Sequence, residues 1–227
     1  MTPRRLSASV LGLLLLLPGC TAPATTTVSR AEGGPAAASP TSAELRVFVV
    51  GDSITEADSD DFDSGDIGPN SWATYADGPG ITVVGGWAHA GATTEDMLAG
   101  ALDLAATGTG PTRDDVLVLM GGSNDIDEGV AIPTIMDNLV RIATGLRTGR
   151  VTLSTIPPED GVEDEVEALN AHLPALAAQQ GWQLVDPMQA VRGEDGGWLP
   201  GMSDDGVHPT RPAAALIGES FRRALIG

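Results

Sequence analysis

Four polar signals recur along the chain, each placed just after a short apolar or glycine-rich stretch. They are Ser53 in Gly51-Asp52-Ser53, Gly91 in His89-Ala90-Gly91, Asn124 in Gly122-Ser123-Asn124-Asp125, and Asp205 with His208 in Asp205-Gly206-Val207-His208-Pro209. Acyl transfer needs a nucleophile, a base to take its proton and donors for the oxyanion. Ser53 offers the hydroxyl. Imidazole is the side chain that changes charge nearest working pH, so His208 offers the base. Asp205, three residues earlier in the same turn, can meet Nδ1 of His208, fix the tautomer and leave Nε2 for Ser53. The Asn124 side-chain amide and the backbone N–H groups of Ser53 and Gly91 are donors suited to an oxyanion. Chemistry of this kind requires no metal and no organic cofactor.

Rival residues stand beside these. Ser123 is a second hydroxyl, without an obvious paired base. Asp204 competes with Asp205 as orienter. His89 is the second choice of base and, two residues before Gly91, can touch substrate. Trp87 and Trp198 flank the same loops and can wall an acyl or sugar group, or pack into the core. His172 falls at the edge of a helix stripe and reads as structural.

The elements that must position these groups follow from hydrophobic pattern. Val47–Val50 run without a break into Gly51, which reads as a buried parallel strand. Further strands are expected at Ile81–Val84, Asp115–Met120, Val151–Ile156 and Trp182–Val185. Ile81–Val84 is expected to stop at Gly85-Gly86, with Trp87–Ala92 as a loop. Ser71 can cap a short helix carrying Trp72 and Tyr75. Thr93 and Asp96 have capping-box spacing and open a helix that ends near Gly108. Ile132–Leu146 and Val162–Gln180 have helical periodicity, and a last helix starts near Thr210 with Pro212 in its first turn. Strands alternating with helices imply one α/β domain over 43–227, built on a five-stranded parallel sheet covered on both faces. In such sheets ligands bind outside the carboxyl ends of the strands. All four signals fall there.

Composition narrows the function. The formal net charge of −19 repels nucleic acid and anionic headgroups. All twelve basic residues are Arg, which removes a Schiff-base lysine and a Walker-type phosphate loop. The single cysteine, Cys20, leaves neither an internal disulfide nor a cysteine-rich zinc site. Six of the eleven residues from Glu56 to Asp66 are acidic. Their spacing does not match an EF-hand, and the stretch reads as a solvated loop bordering the site and disfavouring anionic substrates.

Residues 1–20 read as an address. Arg4 and Arg5 precede the apolar run Val10–Leu17, which is too short to span a bilayer. Leu17-Pro18-Gly19-Cys20 is similar to a bacterial lipobox, with Pro18 the departure, and makes Cys20 the lipidation site. A plain secretory or twin-arginine signal is the alternative. Residues 21–42 are Thr, Ala, Pro, Ser and Gly with little to bury, a flexible tether. The expected protein is secreted and anchored by lipid to the outer face of a bacterial membrane.

The four blocks, in their order and spacing, resemble those of the SGNH (GDSL-type) hydrolase family and span nearly all of 43–227. The G-x-S-x-G elbow of α/β-hydrolases is absent. The resemblance implies a three-layer α/β/α flavodoxin-like fold and an oxyanion hole of Ser53, Gly91 and Asn124. It also implies Ser53–His208 catalysis, and its spacing favours Asp205 over Asp204. The activity implied is ester hydrolysis. No long apolar cap lies between the strands, which points to a short acyl group on a glycan or another envelope ester. The alternatives are acyl transfer, long-acyl lipase or thioesterase activity, and a non-catalytic envelope-binding lipoprotein.

Overall fold

The computed structural model describes residues 44–227. The signal-like segment 1–20, Cys20 and the tether 21–42 lie outside the described residues. Five strands form one all-parallel sheet: β1 (Leu45–Gly51), β2 (Ile81–Ala88), β3 (Val116–Leu119), β4 (Arg150–Ser154) and β5 (Gln183–Val185). Their spatial order is β2-β1-β3-β4-β5. The chain leaves β1 to one side for β2 and returns to the other for β3. Strand order therefore reverses between β1 and β3, the switch point at which open α/β sheets bind ligands.

Side chains alternate across the sheet with a period of two, and the two cores follow from that alternation. Val47, Val49, Val116 and Val118 face one side with Trp72, Ile217 and Phe221. Phe48, Val50, Leu117 and Leu119 face the other with Met97, Leu139, Ile142 and Leu169. The first side is covered by α2 (Trp72–Ala76) and α7 (Arg211–Ile226), joined by the stacked rings of Trp72 and Phe221 with centroids 4.2 Å apart. The second is covered by α3 (Thr94–Leu104), α5 (Ile132–Leu146) and α6 (Glu163–Gln180). Each large side chain fully buried this way stabilises the fold by about 1.5–3 kcal/mol. Two of the helices, α2 and α3, begin where the sequence places side-chain caps. Ser71 Oγ accepts the Ala73 N–H, and Thr93 with Asp96 closes a capping box.

One expectation is corrected at β2. The strand does not stop at Gly85-Gly86 but runs on through Trp87 and Ala88. Its pairing with β1 slips between Val47 and Val49, so Val84 and Gly85 stand opposite Phe48 alone, a bulge inside the strand, and Gly86 resumes the pairing with Val49. Gly85 holds φ +93°, and a Cβ on Gly86 would sit 1.8 Å from the Val49 carbonyl oxygen. Glycine here marks backbone pressed on backbone, not a strand end. The bulge re-aims the end of β2 and the turn that carries Gly91.

Candidate active site

Ser53 opens a one-turn helix, α1 (Ser53–Glu56), directly after β1. Asp52 is its N-cap and accepts the Ile54 N–H at 3.0 Å through Oδ1. The turn is tight: a Cβ on Gly51 would lie 2.3 Å from Thr55 Oγ1. Thr55 in turn receives the indole N–H of Trp72 at 3.1 Å. The nucleophile-bearing turn is thus pinned to α2 beneath it.

Asp52 is 1% exposed, and its Oδ2 has no hydrogen bond among the described residues. Burial pushes its carboxyl from 3.8 up to about 7. The folded value is the higher one, so the folded chain keeps a proton that the unfolded chain releases in this range. The group's contribution to stability is full below about pH 4 and is lost as pH rises through 7. Asp52→Asn keeps the acceptor for Ile54 and cannot ionise. We expect unfolding titrations at pH 5 and pH 8 to show the wild type losing on the order of 3 kcal/mol more than the variant. Parallel pH profiles would contradict the buried, protonated state.

The loop before α7 supplies the imidazole. Asp205 Oδ1 accepts the backbone N–H groups of Val207 at 2.9 Å and His208 at 2.8 Å. Its Oδ2 lies 2.8 Å from His208 Nδ1. His208 Nε2 lies 3.0 Å from Ser53 Oγ, across 155 residues of sequence. The N–H of His208, its side chain and the Val207 N–H together hold the Asp205 carboxyl well below the usual carboxylate range. It stays ionised at any working pH. Ser203 Oγ accepts the Gly206 N–H and donates to the His208 carbonyl. Trp198 donates its indole N–H to the Gly206 carbonyl at 3.1 Å, and Asp160 N–H donates to the same oxygen at 2.8 Å. Gly206 holds φ +84°, and a Cβ there would strike the Asp160 side chain.

The donors come from the flanking strands. Gly91 follows β2 in a left-handed turn at φ +75° with open space where a side chain would project. Its N–H makes no hydrogen bond among the described residues. Asn124 lies in α4 (Ser123–Asp127), a helical turn directly after β3. Its side-chain amide donates to the Ala92 carbonyl at 2.9 Å, which orients the group and leaves its second hydrogen. Asp125 beside it is buried and accepts the N–H and hydroxyl of Thr94 at 2.7 and 2.6 Å. That pair ties α4 to the start of α3. Ser53, Gly91 and Asn124 therefore stand at the ends of three adjacent strands, with Ser53 in the middle.

The other candidates fall elsewhere. Ser123 Oγ is buried without a partner among the described residues. Asp204 lines the same cavity but does not face Nδ1 of His208. His89 is exposed, with Nε2 3.3 Å from Asp63 and its ring edge-on to Trp87. Glu56 of α1 accepts the Ala90 N–H at 2.6 Å and so ties the nucleophile's helix to the Gly91 turn. Neither Trp87, His89 nor Trp198 lines the cavity that opens beside Ser53 and His208. Trp87 packs on Gly100 of α3, and Trp198 braces the His208 loop. His172 is exposed and bonds the Ala168 carbonyl in its own helix. Among the described residues, no three His, Cys, Asp or Glu side chains converge as metal ligands.

Pattern reading missed Glu159. It is 4% exposed, in the segment after β4, with Oε2 unpaired among the described residues. Burial and the neighbouring Asp127 carboxylate push it up to about 7. Its only sequence signal is its place after the Pro157-Pro158 strand end.

A parallel α/β sheet with a hydroxyl, an imidazole and a carboxylate in line at its carboxyl edge is the frame of a serine hydrolase. The chain belongs to the GDSL-like lipase/acylhydrolase family, which matches residues 49–216, and is a serine ester hydrolase. Solved structures of similar fold include a GDSL-like lipase from Bacteroides thetaiotaomicron, at 22% identity and TM-score 0.56 over 83% of this chain and 93% of that one. A member of the lipolytic G-D-S-L family from Veillonella parvula is 19% identical, with TM-score 0.60 over 78% and 95%. A carbohydrate esterase family 3 structure from Talaromyces cellulolyticus is 21% identical, with TM-score 0.57 over 80% and 96%. No curated protein sequence matches the chain.

Proposed function

We propose that the protein hydrolyses short-acyl carboxylic esters, such as O-acetyl groups on glycans or other envelope components, through an acyl-enzyme on Ser53. The observation that carries this reading is the continuous line from Asp205 Oδ2 to His208 to Ser53 Oγ, at 2.8 and 3.0 Å. Ser53 Oγ attacks the ester carbonyl as its proton passes to His208 Nε2. The tetrahedral oxyanion is held by the N–H groups of Ser53 and Gly91 and the amide of Asn124. His208 then gives the proton to the departing alcohol, and the acyl group remains on Ser53. Water, deprotonated by the same imidazole, releases the acid.

The short acyl group is supported by the sequence, in which no long apolar cap lies between the strands. A fluorophosphonate ester tests the nucleophile directly. It is expected to add one phosphonyl group, found by peptide mass spectrometry on Ser53. Labelling at Ser123, or none, would count against the mechanism. In a 4-nitrophenyl ester series, kcat/KM is expected to fall from acetyl to decanoyl.

The lipid anchor rests on the lipobox-like run ending at Cys20 and on the polar tether after it. We expect Cys20→Ser to shift the protein from the membrane fraction to the soluble one in a bacterial host that processes lipoproteins. An unchanged distribution would remove the anchor from the proposal.

A further inference from the structure

The cavity beside Ser53 and His208 has a volume of about 580 Å³. His208 Nε2 must deliver its proton to the leaving oxygen, so the alcohol half of the ester lies on the His208 side of Ser53. The cavity is on that side. Its wall runs from Asp204 through His208 to Arg211, whereas Gly91 and Asn124 do not line it. It is therefore the room for the alcohol.

The far wall of this room is furnished with unpaired polar groups. Arg211, the first residue of α7, donates Nε–H to the Tyr75 hydroxyl at 2.9 Å, and that hydroxyl donates to the Pro69 carbonyl. The guanidinium is thereby fixed. Among the described residues its two terminal nitrogens hold no hydrogen bond. Asp58 Oδ1 accepts the Asn70 backbone N–H at 2.9 Å, which leaves Oδ2 and the Asn70 side-chain amide without partners there. Between Ser53 and this wall sits Ala57, at φ +49° and ψ −124°, a conformation that non-glycine residues rarely adopt. Strain of this kind is held by the surrounding structure and clusters at ligand sites.

We propose that Arg211, Asp58 and Asn70 form a subsite for the alcohol half of the substrate, and that this alcohol is a neutral, hydroxyl-rich sugar. The inference rests on the esterase reading above and narrows it. Oriented donors and an acceptor on one wall suit vicinal hydroxyls, each of which gives and takes a hydrogen bond. An acyl-glycerol chain would leave all of these groups unpaired and desolvated. An anionic alcohol is disfavoured because Asp58, Asp204 and Asp205 line the cavity against a single cation among the described residues, Arg211.

The test compares partially O-acetylated xylo-oligosaccharides with 4-nitrophenyl acetate, whose leaving group carries no sugar hydroxyls. In Arg211→Ala, and separately in Asn70→Ala, the ratio of the two kcat/KM values is expected to fall about tenfold against wild type, chiefly through KM on the sugar ester. Both residues are exposed, and thermal unfolding of each variant serves as the fold control. A ratio that stays within twofold of wild type in both variants overturns the subsite. Wild-type protein that cleaves 4-nitrophenyl acetate but none of the sugar acetates overturns the sugar assignment while leaving the esterase reading intact. Wild-type protein that cleaves neither ester removes both.

Discussion

Ser53→Ala is expected to lower kcat/KM on 4-nitrophenyl acetate by about 10⁴-fold or more, and His208→Ala by a similar factor. The size follows from the 3.0 Å contact between Oγ and Nε2. A hydroxyl is a poor nucleophile until its proton has somewhere to go, and an imidazole without that hydroxyl has nothing to activate but water. The two groups therefore act as a unit. The double variant is expected to be no slower than either single one, within about threefold. What remains comes from the oxyanion donors and binding, which both changes leave in place. Folding is not expected to suffer. Ser53 is half-buried and His208 exposed, and neither side chain holds the core together. Steady-state kinetics on purified 43–227, with thermal unfolding as a fold control, checks the set. A Ser53→Ala enzyme within tenfold of wild type would remove Ser53 as nucleophile. Additive losses in the double variant would mean that the two groups work separately.

How far this site was legible in the sequence depends on how local each of its causes is. Ser53 was legible because an apolar strand and its glycine stop are written in consecutive residues. The polar side chain after such a stop has one place to go in a parallel sheet. Asp205 and His208 share one turn, so their pairing is also local. The expected stop at Gly85-Gly86 was misplaced because pattern cannot tell a glycine that ends a strand from one that lets two backbones touch. The Val49 carbonyl that decides the matter lies far away in sequence. The same limit hid the tie between Asp125 and Thr94 and the burial of Glu159. It hid the cavity wall most completely. Arg211 and Tyr75 meet across 136 residues, and only the packing of α2 on α7 brings them together. Trp87 and Trp198, flagged by proximity to the site loops, instead brace the structure from behind.

Asp205→Asn carries the second large effect, and its cause lies in which oxygen does what. Oδ1 is committed to two backbone N–H groups, those of Val207 and His208. An asparagine must place its single carbonyl oxygen there, because an amide N–H₂ would meet two donors. The N–H₂ group then takes the position of Oδ2, 2.8 Å from Nδ1. It can only donate, so Nδ1 becomes an acceptor and the ring proton moves to Nε2. A protonated Nε2 cannot accept the Ser53 proton. The nucleophile, the base and the loop all remain, yet the tautomer is wrong. We expect kcat to fall about 10³- to 10⁴-fold with KM changed by less than about threefold. Asp205→Ala removes the wrong donor together with the carboxylate, leaves the imidazole free to choose its tautomer, and is expected to retain more activity than Asp205→Asn. That ordering, with the smaller and less similar residue the better replacement, separates tautomer control from simple support of the loop. Support alone predicts the reverse, since Asn keeps the two backbone contacts and Ala loses them. Steady-state kinetics of the two variants at a single pH decides between them.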